Sequence, residues 1–242
     1  MEKARQYSAL VMEPVDLTEF SLDELLQVAR KCQAHITQSR PEGVDPLAFP
    51  NLKSKTPYTA VVFRDAQYCR FEELCRAACD LFERGDVVAA NICVRAMLET
   101  ASSIWYLMEL LQKEVNQGLS GSAHAKIVQL LLGQRSDTDS GLPQSKNILS
   151  ILDHADKKLP GLRKNYDRLS EFAHPNWSGA LGTYGDREDK TLITWFRPTE
   201  KSLEYPKRIG LSLFILTIQM VEESYNEILD AAVAYAQLEG GE

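Results

Sequence analysis

The sequence predicts an all-α bundle with a small β-hairpin or flap inserted before the last long helix. Three observations carry this. Apolar residues recur at i, i+3/i+4 and i+7 along several long segments. Stop and cap signals separate those segments: Gly85-Asp86, Leu159-Pro160-Gly161 and Pro175. One run, Thr191 to Phe196, is rich in β-branched and aromatic residues instead.

Residues 1–15 carry no clear period and read as a loose arm. The first helix is expected from Thr18 or Ser21 to Gln38. Ser21 and Glu24 make a capping-box pattern, and Leu22, Leu25, Leu26, Ala29 and Cys32 trace one face. Gln38 to Thr56, broken by Pro41, Pro46 and Pro50, reads as a long loop packed through Leu47 and Phe49. A second helix is expected from Tyr58 to Arg84. The third, Val87 to about Asn116, is apolar nearly all round and belongs in the middle of a bundle.

Two polar, glycine-containing loops, Gly118 to Ser122 and Gly133 to Lys146, flank a short helix at Ala123 to Leu132. Another short helix covers Asn147 to Lys158, and Leu162 to Ala173 follows as the next. Gly185-Asp186 offers a turn before the Thr191–Phe196 run. Pro206, suited to a first helical position, opens the last helix, which runs to about Leu238. The chain therefore divides into residues 1–56, an N-terminal helix and Pro-containing loop, and 57–242, one helical domain.

The chain has 242 residues, 44% of them hydrophobic and 25% charged, an ordinary balance for a globular protein. A net charge of −7 removes any overall attraction to nucleic acid or anionic lipid, though not a local basic pocket. Met1 to Met12 lacks the apolar run of a secretory leader. Ile209 to Val221, the most apolar run, is too short to span a bilayer, so no membrane role is expected. Five cysteines, an odd number, suit reduced thiols and a cytoplasmic location. They show no Cys-x2-Cys pair with a nearby histidine, so neither a metal nor a cofactor is expected. His35, His124 and His154 are scattered and read as unpaired surface residues.

The chemistry concentrates at Tyr166 to Trp177. Leu162, Tyr166, Leu169 and Ala173 make an apolar stripe, and Pro175 stops the helix by disfavouring the α conformation at His174. An imidazole at a helix C-terminus favours its cationic form. Phe172, at i+4 from Arg168, suggests a helix buried on two sides, with Arg168 held by partners. Upstream, Arg95 and Glu99 are spaced i, i+4 in the apolar third helix and need partners there. At least one of them is expected within hydrogen-bonding reach of Tyr166, Arg168 or His174.

Arg168 and His174 form an Arg-x5-His pattern near a helix end. It resembles the Arg-x4-6-His motif of HEPN proteins, an all-helical superfamily that includes metal-independent ribonucleases, toxins, defence proteins and inactive members. The wider string Tyr-x-x-Leu-Ser-x-x-x-His-Pro, with the upstream Arg-x-x-x-Glu, resembles a HEPN-like family over roughly residues 57–238. The resemblance implies a HEPN-like bundle and catalytic roles for Arg168 and His174, with Arg95, Glu99, Tyr166, Asp167 and Asn176 supporting them. It implies RNA as substrate, attacked by its own 2′-hydroxyl, and a homodimer with facing motifs in a toxin–antitoxin or defence system. The alternative is a non-catalytic helical module for protein interaction, with Arg168 and His174 serving the fold.

Overall fold

Each predicted stripe becomes a helix because a helix leaves one face to bury and satisfies its own backbone. The computed structural model describes residues 19–49, 52–135 and 141–241. The reading of residues 1–15 lies outside them. The fold is all-α, with eight α-helices among the described residues and a two-stranded antiparallel hairpin before the last. In order these are α1 (Leu22–Gln38), α2 (Thr56–Arg84), α3 (Val87–Asn116), α4 (Ala123–Leu132), α5 (Ile148–Asp156), α6 (Leu162–Ala173) and the one-turn α7 (Leu181–Tyr184). Strands β1 (Gly185–Arg187) and β2 (Thr194–Phe196) lead into α8 (Glu200–Gly240).

The caps explain the boundaries. The Ser21 amide donates to Glu24 Oε2 at 2.8 Å and the Glu24 amide returns a bond to Ser21 Oγ at 3.3 Å. The Ser21 amide, and after it the Ser21 hydroxyl, which donates to the same oxygen at 2.8 Å, hold the Glu24 carboxyl below its ordinary range. Gly85 adopts φ +80°, which lets its amide reach Phe82 O and the Asp86 amide reach Leu81 O. That double bond is the usual glycine stop to a helix. Asn147 Oδ1 accepts from the Leu149 amide at 2.9 Å and starts α5.

Three expectations are corrected. Leu47 is 87% exposed, while Phe49 anchors the loop, packed on Val61 and Ala232 with Val44 and Leu52 beside it. Residues Pro46–Ala48 form a 3-10 turn capped by Asp45, which points Leu47 away from that cluster. Gly185-Asp186 is not the turn but part of β1, pairing with Phe196 and Trp195. The reversal falls at Glu188 to Ile193, where Leu192 takes φ +60°. Finally, α8 begins before Pro206. Thr199 and Ser202 cap it reciprocally, at 3.0 and 3.1 Å, and Pro206 lies inside the helix, which there lacks one backbone donor.

The chain divides into two compact units. One comprises the chain up to Gln38 with Glu73–Leu98 and Lys164–Glu222. Its core joins Leu25 and Ile36 of α1, Phe82 of α2, Met97 of α3, Leu169 of α6 and Phe214 of α8, all essentially inaccessible. Each such side chain contributes roughly 1.5–3 kcal/mol. Gly210 permits a close approach, since a Cβ there would lie 2.6 Å from Phe82 Cζ and from Asn91 Oδ1.

The other unit comprises Ser39–Glu72, Glu99–Arg163 and Glu223–Glu242. Phe71, Ile104, Leu107, Leu111, Ile127 and Leu152 fill it. Helix α3 is the one described helix long and apolar enough to cross a membrane by composition, and 56% of its apolar window is buried inside the protein.

Candidate functional site

Helix α6 positions the motif. Tyr166, Leu169 and Phe172 are buried, whereas Asp167, Arg168, Glu171 and His174 are exposed. Successive residues step about 100°, so Phe172 lies only about 60° from Leu169 and edges the same stripe. Arg168 lies further round, on the solvent side. The expected second buried face around Arg168 is therefore absent, and among the described residues its one side-chain hydrogen bond is to Asn165 Oδ1, at 3.1 Å.

Beyond Ala173 the chain folds tightly back over the helix end. Asn176 Nδ2 donates to Glu171 Oε2 at 2.5 Å, and Asn176 Oδ1 accepts from the Gly179 amide at 3.1 Å. The Asn176 amide donates to His174 O at 2.8 Å. Gly179 approaches so closely that a Cβ would stand 2.2 Å from His174 O. Asn176 thus organises the turn after the helix. The His174 ring makes no hydrogen bond among the described residues and stands in solvent. Trp177 is 70% exposed, with its ring edge beside Gly182.

The upstream arginine does meet the motif. Arg95 Nη2 donates to the Tyr166 hydroxyl at 2.6 Å, and its guanidinium lies 5.0 Å from that ring's centroid. Tyr166 is 4% exposed, so α3 and α6 are clamped by a charge-assisted bond beside the core. This unit contains Arg95, Tyr166, Asp167, Arg168, His174 and Asn176, of which Arg95 and Tyr166 meet, while Asp167 and Arg168 lie on α6 and His174 and Asn176 follow it. Glu99 belongs to the other unit, where it lines a cleft with Arg70, Ser103, Arg135 and Lys146.

That second unit holds polar clusters which sequence reasoning passed over. Asp65 Oδ1 accepts from Arg64 Nε and from the Tyr225 hydroxyl, both at 2.8 Å, and the Arg64 guanidinium lies 3.9 Å from the Tyr225 ring centroid. Burial, reinforced by Asp65, pushes the Tyr225 phenol well above its usual range. Its signal was the adjacent pair Arg64-Asp65 breaking the apolar run Ala60 to Phe63. The three histidines read as unpaired all have partners. His154 Nε2 meets Glu109 Oε2 at 2.5 Å, His124 Nδ1 meets Thr56 Oγ1 at 3.0 Å, and His35 Nε2 lies 3.6 Å from Glu222. Each partner is remote in sequence, so no local pattern announced it. Among the described residues no group of three His, Cys, Asp or Glu side chains could hold a metal ion.

Fold and site together define an all-α protein that presents an arginine and a histidine at one exposed helix end. Set against protein-family models, curated proteins and solved structures, the chain has no significant match.

Proposed function

We propose that the chain is a cytoplasmic HEPN-like protein acting on RNA without a metal, in a toxin–antitoxin or defence system. One observation carries this reading: the fold makes little use of Arg168 and His174. Both side chains are exposed, and among the described residues Arg168 hydrogen-bonds only Asn165 and the His174 ring has no hydrogen bond. A planar guanidinium grips a phosphate through paired donors, and an imidazole moves protons near neutral pH. In this reading Arg168 holds the scissile phosphate. His174 takes the proton of the neighbouring ribose 2′-hydroxyl, and the oxygen attacks phosphorus. The 5′-oxygen leaves with a proton from His174 of the partner subunit in a homodimer, and a 2′,3′-cyclic phosphate remains. The Arg95–Tyr166 clamp holds α6 while this happens.

The test is cleavage of single-stranded RNA in a chelator by wild type, Arg168→Ala and His174→Ala. Each substitution is expected to lower the rate about a hundredfold or more, the usual weight of a general acid–base group. Undiminished cleavage in both variants would reject the pair as the active site.

A non-catalytic interaction module is the second reading, and the hairpin favours it. Phe196 is 79% exposed, and Trp195, Leu192, Ile193 and Tyr205 are exposed too. Apolar surface of that kind serves protein contacts. Sedimentation velocity tests it: an association state unchanged in Trp195→Ser/Phe196→Ser would count against the hairpin as a contact surface.

A further inference from the structure

The unit that contains Glu99 carries a cleft of about 410 Å³, inside the range of about 300–1,000 Å³ that small ligands occupy. Its walls come from α2, α3, the start of α5 and the segment before α5. Among the described residues, three cations, Arg70, Arg135 and Lys146, line it against one acid, Glu99. The remaining wall is hydroxyls and amides with Ile148 as its one aliphatic side chain.

An acidic protein, with 34 carboxylates against 27 basic side chains, has ample means to neutralise such cations. Here it does not. Arg70 Nε donates to Thr100 Oγ1 at 3.3 Å, which fixes one edge of the guanidinium and leaves its Nη groups without a bond among the described residues. The Lys146 ammonium lies 4.9 Å from the Tyr106 ring centroid, positioned by a cation–π contact rather than a carboxylate. Arg135 makes no ion pair among the described residues.

The wall is held in place. Gln134 N donates to Pro143 O at 3.0 Å, and Ser145 N donates to Gln134 O at 2.9 Å. Gln129 Nε2 donates to Gln144 O at 2.9 Å. Gly133 permits this contact, because a Cβ there would stand 2.6 Å from Ser145 Cα. Asn147 and Ile148, at the N-terminal end of helix α5, line the cleft, and a helix N-terminus carries partial positive charge.

We infer that this cleft binds a small phosphate monoester that carries hydroxyl groups, a sugar phosphate. Arg70, Arg135 and Lys146 bind the phosphate, and Glu99 with Ser103 takes the hydroxyls. The lining contains no aromatic ring on which a base could stack, which separates a sugar phosphate from a nucleotide. The site shares no residue with the Arg168–His174 pair, so each reading fails or stands independently.

The test is isothermal titration calorimetry on the full chain at low salt with four probes: inorganic phosphate, ribose, ribose 5-phosphate and adenosine 5′-monophosphate. Ribose 5-phosphate is expected to bind more tightly than inorganic phosphate, and ribose not to bind. Arg70→Gln, Arg135→Gln and Lys146→Gln should each weaken ribose 5-phosphate about tenfold or more, as loss of a charged hydrogen bond does. Melting temperature without ligand confirms that each variant folds. Arg135 is exposed, and its variant reads out the site if another is unstable. Failure of every phosphate to bind would overturn the inference, as would binding that all three variants retain. Binding of the nucleotide alone would overturn the assignment to a sugar phosphate.

Discussion

Removing one oxygen from Tyr166 isolates the clamp between α3 and α6. Tyr166→Phe keeps the buried ring and the cation–π contact at 5.0 Å, and deletes only the acceptor that Arg95 Nη2 approaches at 2.6 Å. A hydrogen bond to a charged group contributes about 1.5–3 kcal/mol net. Arg95 makes further interactions, so the loss falls toward the low end, about 1–2 kcal/mol. In a chain of this size each kcal/mol moves the melting temperature about 2–4 °C. A fall of roughly 2–8 °C is therefore expected. Tyr166→Ala also empties a site only 4% exposed and should cost about 3–5 kcal/mol. Urea unfolding of Tyr166→Phe, Arg95→Met and the double variant gives the coupling directly. A coupling near zero, or a Phe variant as stable as wild type, would refute the clamp.

Glu114 is 2% exposed and accepts from Ser120 Oγ at 2.6 Å, Ser122 Oγ at 2.7 Å and the Gly121 amide at 3.1 Å. Burial alone would raise its carboxyl, but these donors together outweigh it and hold the group below its ordinary range. A depressed folded pKa gives stability that is present above the unfolded value and lost as pH falls through the folded one. Glu114→Gln should therefore be less stable than wild type at neutral pH, with the gap closing below about pH 4. An unchanged gap in urea titrations at both pH values would assign the loss to packing. Gly210→Ala should destabilise by about 1–3 kcal/mol in chemical denaturation, because Phe82 and Asn91 leave no room, despite a helix-propensity gain of about 1 kcal/mol. Burial pushes the Cys79 thiol up to about 12 and, with Glu222, the Cys32 thiol up to about 11. Both should react slowly with a disulfide reagent at about pH 8 and fast in urea; rapid native labelling of Cys79 would contradict its burial.

The sequence by itself determined the helices. Val87–Asn116, Ala123–Leu132 and Leu162–Ala173 end where the apolar period and the stop signals place them. Ser21 and Glu24 form their capping box, and Gly85 takes its left-handed turn. Such features are written locally, since a helix joins residues four apart and a cap joins residues three apart. Tertiary structure alone decided which polar groups meet. Arg95 reaches Tyr166 across 71 positions, Glu109 reaches His154 across 45, and Asp65 reaches Tyr225 across 160. It also turned Arg168 to solvent and set Glu99 in a cleft with Arg70 and Lys146. Periodicity reports which face of a helix is apolar, and a single shift of about 60° decides whether Phe172 makes a second buried face or edges the first. Which element covers a face, and which charge it brings, depends on packing between segments far apart in the chain, and no local pattern encodes that.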